Sequence, residues 1–202
     1  MKLILIRHGN TFGKDDKVVW VGARSDLPLV EKGREQAEAV GQALKECGMP
    51  LSALYCGPLK RTVQTAEIAR KTAGLEDVDL VISDALREID YGLWEARSNE
   101  DIRAEFGDRD IDGWQKESIW PENYGWSPDP QTILANWNAM IEEIERTHGK
   151  DAIAAIVTSN GILRVVAPHY GIRASEAKVG TGSMCLIDNG KVLIWNAKEL
   201  SI

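Results

Sequence analysis

Four short stretches, far apart in the chain, hold side chains suited to handling a phosphoryl group: Arg7-His8-Gly9-Asn10-Thr11, Gly57-Pro58 leading to Arg61, Arg87-Glu88, and Thr158-Ser159-Asn160-Gly161. Arginine grips phosphate through a rigid fork of donors and stays charged at any working pH. A histidine serves as nucleophile or proton carrier near neutrality. A glutamate protonates a leaving oxygen when its pKa is raised. The chain has no GxxxxGKS or GxxxxGKT loop and no carboxylate cluster suited to magnesium, which argues against nucleotide-dependent phosphoryl transfer.

These residues can act together only if the elements before them deliver them to one place. Strand-like apolar runs occur at Leu3–Ile6, Ala53–Cys56, Leu80–Ile82, Ile153–Val157 and Met184–Ile187, with Lys191–Trp195 beyond. Between them, Glu31–Cys47 sets Ala37, Val40, Gly41 and Leu44 on one helical face. Leu59–Ala73, Thr132–Thr147 and Gly161–His169 are further helical stretches. The alternation predicts an α/β fold in three layers, a mostly parallel sheet with helices on both faces. Ligands of such sheets bind beyond the carboxyl ends of the strands, where each of the four stretches falls. Arg61 then sits in a helix's first turn, among free backbone donors.

The 202 residues read as a single domain spanning 1–202. The segment of about 96–130 breaks the rhythm, holding Trp114, Trp120 and Trp126 with several Gly and Pro and no clear period. We read it as an insert over one end of the sheet, a lid or pocket wall as a whole, its individual tryptophans packing beneath a long loop. A net charge of −7 argues against nucleic-acid and membrane-surface partners, though local arginines can still make a pocket for a small anion. No apolar run approaches a membrane span, and the short start before Arg7 lacks the features of a signal peptide. Three scattered cysteines, Cys47, Cys56 and Cys185, fit a reducing cytoplasm. With only His8, His148 and His169, a zinc site is poorly supplied, and no cofactor is expected.

Leu5-Ile6-Arg7-His8-Gly9-Asn10-Thr11 resembles the signature of the histidine phosphatase superfamily, in its phosphoglycerate-mutase-like branch. Asp26–Ala37 resembles the family's entry into its first helix, Ser52–Ala66 its second arginine motif, and Leu86–Glu95 the segment bearing its acid. The resemblance implies a metal-independent hydrolase in which His8 attacks phosphorus to form a phosphohistidine. Arg7 and Arg61 would neutralise the phosphoryl oxygens, and Glu88 would act as acid and then base. Asn10 and Thr11 would lie on the phosphate-facing loop. The family also places a second histidine in a Ser-His-Gly turn, where this chain has Asn160, a neutral donor. By analogy with other oxyanion donors, a lost charged donor costs on the order of 10²–10³ in rate. The family's Gly-Glu-Ser motif is replaced by Gly125-Trp126-Ser127-Pro128-Asp129-Pro130, and the mutases' Arg-His-Tyr-Gly by Glu88-Ile89-Asp90-Tyr91-Gly92. The resemblance thus implies a phosphomonoesterase acting on a small phosphorylated metabolite. A weak or inactive relative that binds a phosphorylated ligand is the alternative, and a phosphoglycerate mutase ranks third. The oligomeric state is left open, a homodimer included.

Each candidate also has a plainer reading. His8 could be an ordinary buried histidine and Arg61 a surface helix residue. Glu88 competes with Asp90 and Glu95, either of which could be a solvated carboxylate. Asn160 could cap the helix that starts there. His148 and His169 read as surface or helix-end residues, and Arg24 as a solvated charge.

Overall fold

The computed structural model describes residues 1–200. In chain order its elements are β1 (Lys2–Arg7), α1 (Glu31–Cys47), β2 (Ala53–Cys56), α2 (Lys60–Ala73), β3 (Leu80–Ile82), α3 (Asn99–Phe106), α4 (Arg109–Glu117), α5 (Pro130–His148), β4 (Ile153–Thr158), α6 (Asn160–Val166), β5 (Met184–Asp188) and β6 (Lys191–Ala197). The strands form one six-stranded sheet in the order β3-β2-β4-β1-β5-β6. The first four strands run parallel, β5 is antiparallel to β1, and β6 is antiparallel to β5.

Strand β1 shows why the apolar runs are continuous. Successive side chains point to opposite faces, so both faces must be covered. Ile4 and Ile6 pack with Val40 and Leu44 of α1 and Ala66 and Ala69 of α2. Leu3 and Leu5 belong to the opposite core, with Ile133, Trp137 and Ile144 of α5 and Leu163 of α6. Three layers result, as the alternation predicts. Among the described residues no helix is long and apolar enough to cross a membrane.

Two expectations are corrected. Residues 96–130 are not aperiodic loop, since they contain the eight-residue α3 and the nine-residue α4. Helices this short give too few turns for a hydrophobic period to register. Their signal is a terminal one: Ser98 and Asp101 form a capping box, each side chain accepting from the other's backbone N–H. The helix placed over Gly161–His169 stops at Val166 and continues as a 3₁₀ turn over Ala167–Tyr170. Pro168 contributes to the stop, because it lacks the N–H that would continue the helical hydrogen-bond ladder.

The insert packs as structure. Trp114 and Trp126 are buried, and Trp126 lies edge-on to Tyr91, Trp94, Trp114 and Trp120 at ring separations of 4.7–5.2 Å. Trp20, from the β1–α1 loop, joins this cluster and donates its indole N–H to Asn99 Oδ1 at 2.9 Å. Loop and insert are thereby tied together beside the carboxyl end of the sheet.

Candidate active site

The turns after β1, β2 and β4, with the chain after β3, meet at a cavity of about 690 Å³. Arg7, His8, Asn10, Thr11, Arg61, Glu88 and Asn160 all line it, so every site residue expected from the sequence comes to one place. His148 and His169 are not in the lining; His148 lies against the Tyr55 hydroxyl at 3.4 Å.

The His8 backbone N–H donates to the Thr158 carbonyl at 3.1 Å, which ties the end of β1 to the end of β4. Its ring Nδ1 lies 2.7 Å from the Gly9 carbonyl. A carbonyl can only accept, so Nδ1 carries the proton and Nε2 keeps its lone pair. Burial, then the positive charges of Arg61 and Arg7, push the imidazole well below its usual pKa. The ring is therefore neutral at neutral pH. Gly9 is required by close approach. A Cβ there would collide with the backbone of Gly33, which in turn presses on Asn10. That contact seats the first turn of α1 against the His8 loop.

Arg7 donates through Nη1 to the Val179 carbonyl at 2.6 Å. Arg61, only 1% exposed, donates to the carbonyls of Ser25, Gly22 and Val21 at 2.7, 3.1 and 3.3 Å. Neither forms an ion pair among the described residues, and the Nε groups of both are buried without a hydrogen-bond partner. Thr65 connects the two halves: its hydroxyl donates to the Arg61 carbonyl at 2.7 Å and accepts the Gly9 N–H at 3.1 Å.

Glu88 is buried. Its oxygens accept the N–H of Ile89 at 3.0 Å and of Gly161 at 3.2 Å. Gly161 is needed here, since a Cβ would overlap the Glu88 carboxylate and the Tyr91 hydroxyl. Burial raises the Glu88 pKa, and the arginines and the two N–H donors only partly offset it. Asn160 is not the helix cap; Ser159 holds that position, and Asn160 is the first helical residue. Its Oδ1 accepts the Val179 N–H at 3.1 Å, which keeps the loop after α6 beside Arg7.

The competing carboxylates also acquire definite places. Glu95 accepts from the N–H groups of Gly22 and Tyr91 and from the Ser25 hydroxyl, so it shapes the loop whose carbonyls hold Arg61. Asp90 pairs with Arg24 at 3.0 Å, so Arg24 is tethered rather than merely solvated. Tyr91, Arg164 and Lys178 line the cavity and were missed as site residues. Arg164 was legible, since it stands four positions after Asn160 and so shares its helical face. It is buried, lies over the Trp114 ring, and donates to the Trp114 and Gln115 carbonyls and the Ser118 hydroxyl. It thus secures the last turn of α4, whose Trp114 and Gln115 also line the cavity. Lys178 lies in irregular chain, where no periodic signal exists.

The fold is shared with solved structures. A mycobacterial glucosyl-3-phosphoglycerate phosphatase superposes with a TM-score of 0.79 at 20% identity, over 97% of this chain and 98% of that one. The α-ribazole phosphatase of Shigella flexneri superposes with a TM-score of 0.72 at 23% identity, over 100% and 99%. Among curated sequences, the 2,3-bisphosphoglycerate-dependent phosphoglycerate mutase of Thermobifida fusca is 33% identical over 130 residues, 63% of this chain and 49% of that protein. The corresponding mutase of Parvibaculum lavamentivorans is 32% identical over 125 residues, 62% and 59%. The chain thus spans about half to three-fifths of the length of these relatives. A family model matches residues 3–190, nearly the whole chain: this protein belongs to the histidine phosphatase superfamily, branch 1.

Proposed function

We propose that the protein is a metal-independent phosphomonoesterase in which His8 Nε2 attacks phosphorus and forms a phosphohistidine, which water then hydrolyses. One observation carries this reading: a neutral imidazole, its tautomer set by the Gly9 carbonyl, lines a cavity with two guanidinium groups, Arg61 buried and Arg7 half-buried, that form no ion pair among the described residues. Arg7 and Arg61 balance the charge on the phosphoryl oxygens, which grows towards the transition state. Glu88 protonates the leaving alcohol and later takes a proton from the attacking water. Asn10 and Thr11 border the phosphoryl group from the β1 loop. Asn160 offers a neutral N–H₂ donor in the place the family gives to a second histidine. The phosphatases among the solved structures of this fold agree with this reaction.

Glu88→Gln tests the acid role through the leaving group. Phenyl phosphate, whose phenoxide needs a proton, is expected to lose about 10²–10⁴ in kcat/KM, in the range of general acid catalysis. p-Nitrophenyl phosphate, whose leaving group departs as the anion, is expected to lose far less. Equal losses for both esters would remove Glu88 from the proposal. The pH profile follows from the two shifts. The active form needs His8 neutral and Glu88 protonated. Activity therefore rises through the depressed His8 pKa, below the usual imidazole range, and falls through the elevated Glu88 pKa, above the usual carboxyl range. Glu88→Gln is expected to erase the alkaline limb.

A second reading, a relative that binds a phosphorylated ligand with little turnover, is favoured by Asn160, since a carboxamide supplies no positive charge. Asn160→His is expected to raise kcat on p-nitrophenyl phosphate by up to about 10²-fold if the missing charge limits the reaction. Calorimetry with phosphate esters beside the turnover assay separates the readings, and binding without turnover supports the second. A phosphoglycerate mutase, the name carried by the relatives, predicts interconversion of phosphoglycerates in a coupled assay.

A further inference from the structure

One buried hydroxyl beside the acid takes no part in the steps above. The Tyr91 phenol lines the cavity and is only 6% exposed. It is hydrogen-bonded to the Glu88 carboxyl group. The two groups converge on Gly161, where a Cβ would stand 2.3 Å from Glu88 Oε1 and 2.8 Å from the Tyr91 hydroxyl. Packing holds the phenol in this direction. Its ring lies edge-on to Trp20 at 5.0 Å and to Trp126 at 4.7 Å. It also presses on Gly22, where a Cβ would lie 2.8 Å from Tyr91 Cδ2. The Tyr91 backbone N–H is held by Glu95 at 3.2 Å. The aromatic cluster thus buries the ring and aims its polar tip at the acid.

The surrounding charges decide which partner donates. Glu88 faces Arg61, Arg7 and Arg164, together with the N–H groups of Ile89 and Gly161. Tyr91 faces the same three guanidinium groups. His8, the remaining titratable group in the centre of the cavity, is neutral. Beside Tyr91, Asp90 is paired with Arg24, and Glu95 is occupied by the Gly22 N–H and the Ser25 hydroxyl. Burial, with the Glu88 charge, pushes the phenol well above its usual pKa. Tyr91 therefore keeps its proton and donates to a Glu88 carboxylate.

Resting on the phosphomonoesterase reading, we infer that Tyr91 is a positioning residue for the acid: its hydroxyl turns the Glu88 proton towards the ester oxygen and donates to the carboxylate left behind. As the P–O bond breaks, its electron pair stays on the alcohol oxygen, which takes the Glu88 proton. The new carboxylate then draws a charge-assisted bond from Tyr91. Water later forms a P–O bond as the P–N bond to His8 breaks, and its proton returns to Glu88. Because the Tyr91 bond strengthens as charge develops, it speeds only those esters whose leaving group needs a proton.

Tyr91→Phe keeps the ring and removes the hydroxyl. On the plateau of the pH profile, kcat for phenyl phosphate is expected to fall about tenfold with KM little changed, the scale of one hydrogen bond to a charged group. For p-nitrophenyl phosphate the change should stay within about twofold. The alkaline limb should move to higher pH by about one unit, since the carboxylate loses a donor. In Glu88→Gln, adding Tyr91→Phe should cost less than about twofold with either ester. A role in packing alone would lower both esters alike and leave the limb in place. 3-Fluorotyrosine at position 91, a more acidic phenol and a stronger donor, should move the limb to lower pH and so tests the bond independently of how well the phenylalanine variant folds. Equal losses for the two esters, a stationary limb, or the full tenfold loss in the Glu88→Gln background overturns the assignment and leaves the phosphomonoesterase reading standing. If Glu88→Gln itself keeps the alkaline limb and the leaving-group dependence of the wild type, Glu88 is not the acid, and the inference falls with that step.

Discussion

His8→Ala is expected to abolish release of phosphate from p-nitrophenyl phosphate, lowering kcat/KM by at least about 10³-fold, as removal of a nucleophile does in other covalent mechanisms. The reason is positional. In the native ring Nδ1 is occupied by the Gly9 carbonyl, which leaves Nε2 as the unprotonated atom. Alanine removes the nucleophile without removing the arginines, so inorganic phosphate should still bind. The ring's one hydrogen bond is to its own neighbour, so the variant should melt near the wild-type temperature. Wild-type protein quenched in alkali during turnover should retain phosphorus on a histidine, whereas the alanine variant should not. Full activity in His8→Ala would end the proposal, since no other histidine lines the cavity.

Arg61→Lys is expected to lose about 10²–10³ in kcat/KM, the cost of removing one preorganised donor from a developing oxyanion. The charge is conserved in this substitution, so the loss isolates geometry. A guanidinium can hold three carbonyls and still present a face to the cavity; an ammonium on a flexible stem cannot do both. Stability should fall too. The carbonyls of Val21, Gly22 and Ser25 lose a charged donor in a buried setting, worth about 2–4 kcal/mol by the scale of such bonds. Wild-type kinetics together with a lowered melting temperature would remove Arg61 from the phosphoryl site and leave it only as the tie for that loop.

The parts of the fold readable from sequence were those with a long period or a strong breaker. The helix predicted over Glu31–Cys47 and the strands over Ala53–Cys56 and Leu80–Ile82 appear with those bounds, because an apolar stripe or a short apolar run has few other ways to be buried. The four stretches that line the cavity were legible because each follows a strand of the sheet, and parallel strands bring their carboxyl ends to the same edge. What escaped was encoded in backbone geometry. The hold of Glu95 on the loop at Gly22 depends on N–H groups, which every residue but proline possesses, so residue type carries no hint of it. Lys178 reaches the cavity only because Val179 is pinned by Arg7 and Asn160, a pairing across 172 and 19 positions that no local pattern contains. For Asn160 the residue type also allowed the plainer reading of a helix cap, and the structure gives that place to Ser159 one position earlier. Residue preference and the position of the turn differed by a single step.

The interlocked indoles of Trp20, Trp94, Trp114, Trp120 and Trp126 also have an optical consequence. Neighbouring rings lie 5.0–6.1 Å apart, close enough for excitation to pass between them, so the five are expected to emit as a coupled group. Trp20 and Trp114 are at once members of that group and part of the cavity wall. A guest touching either ring is expected to alter the emission of the whole set, so occupancy of the cavity should be readable by intrinsic fluorescence without a label.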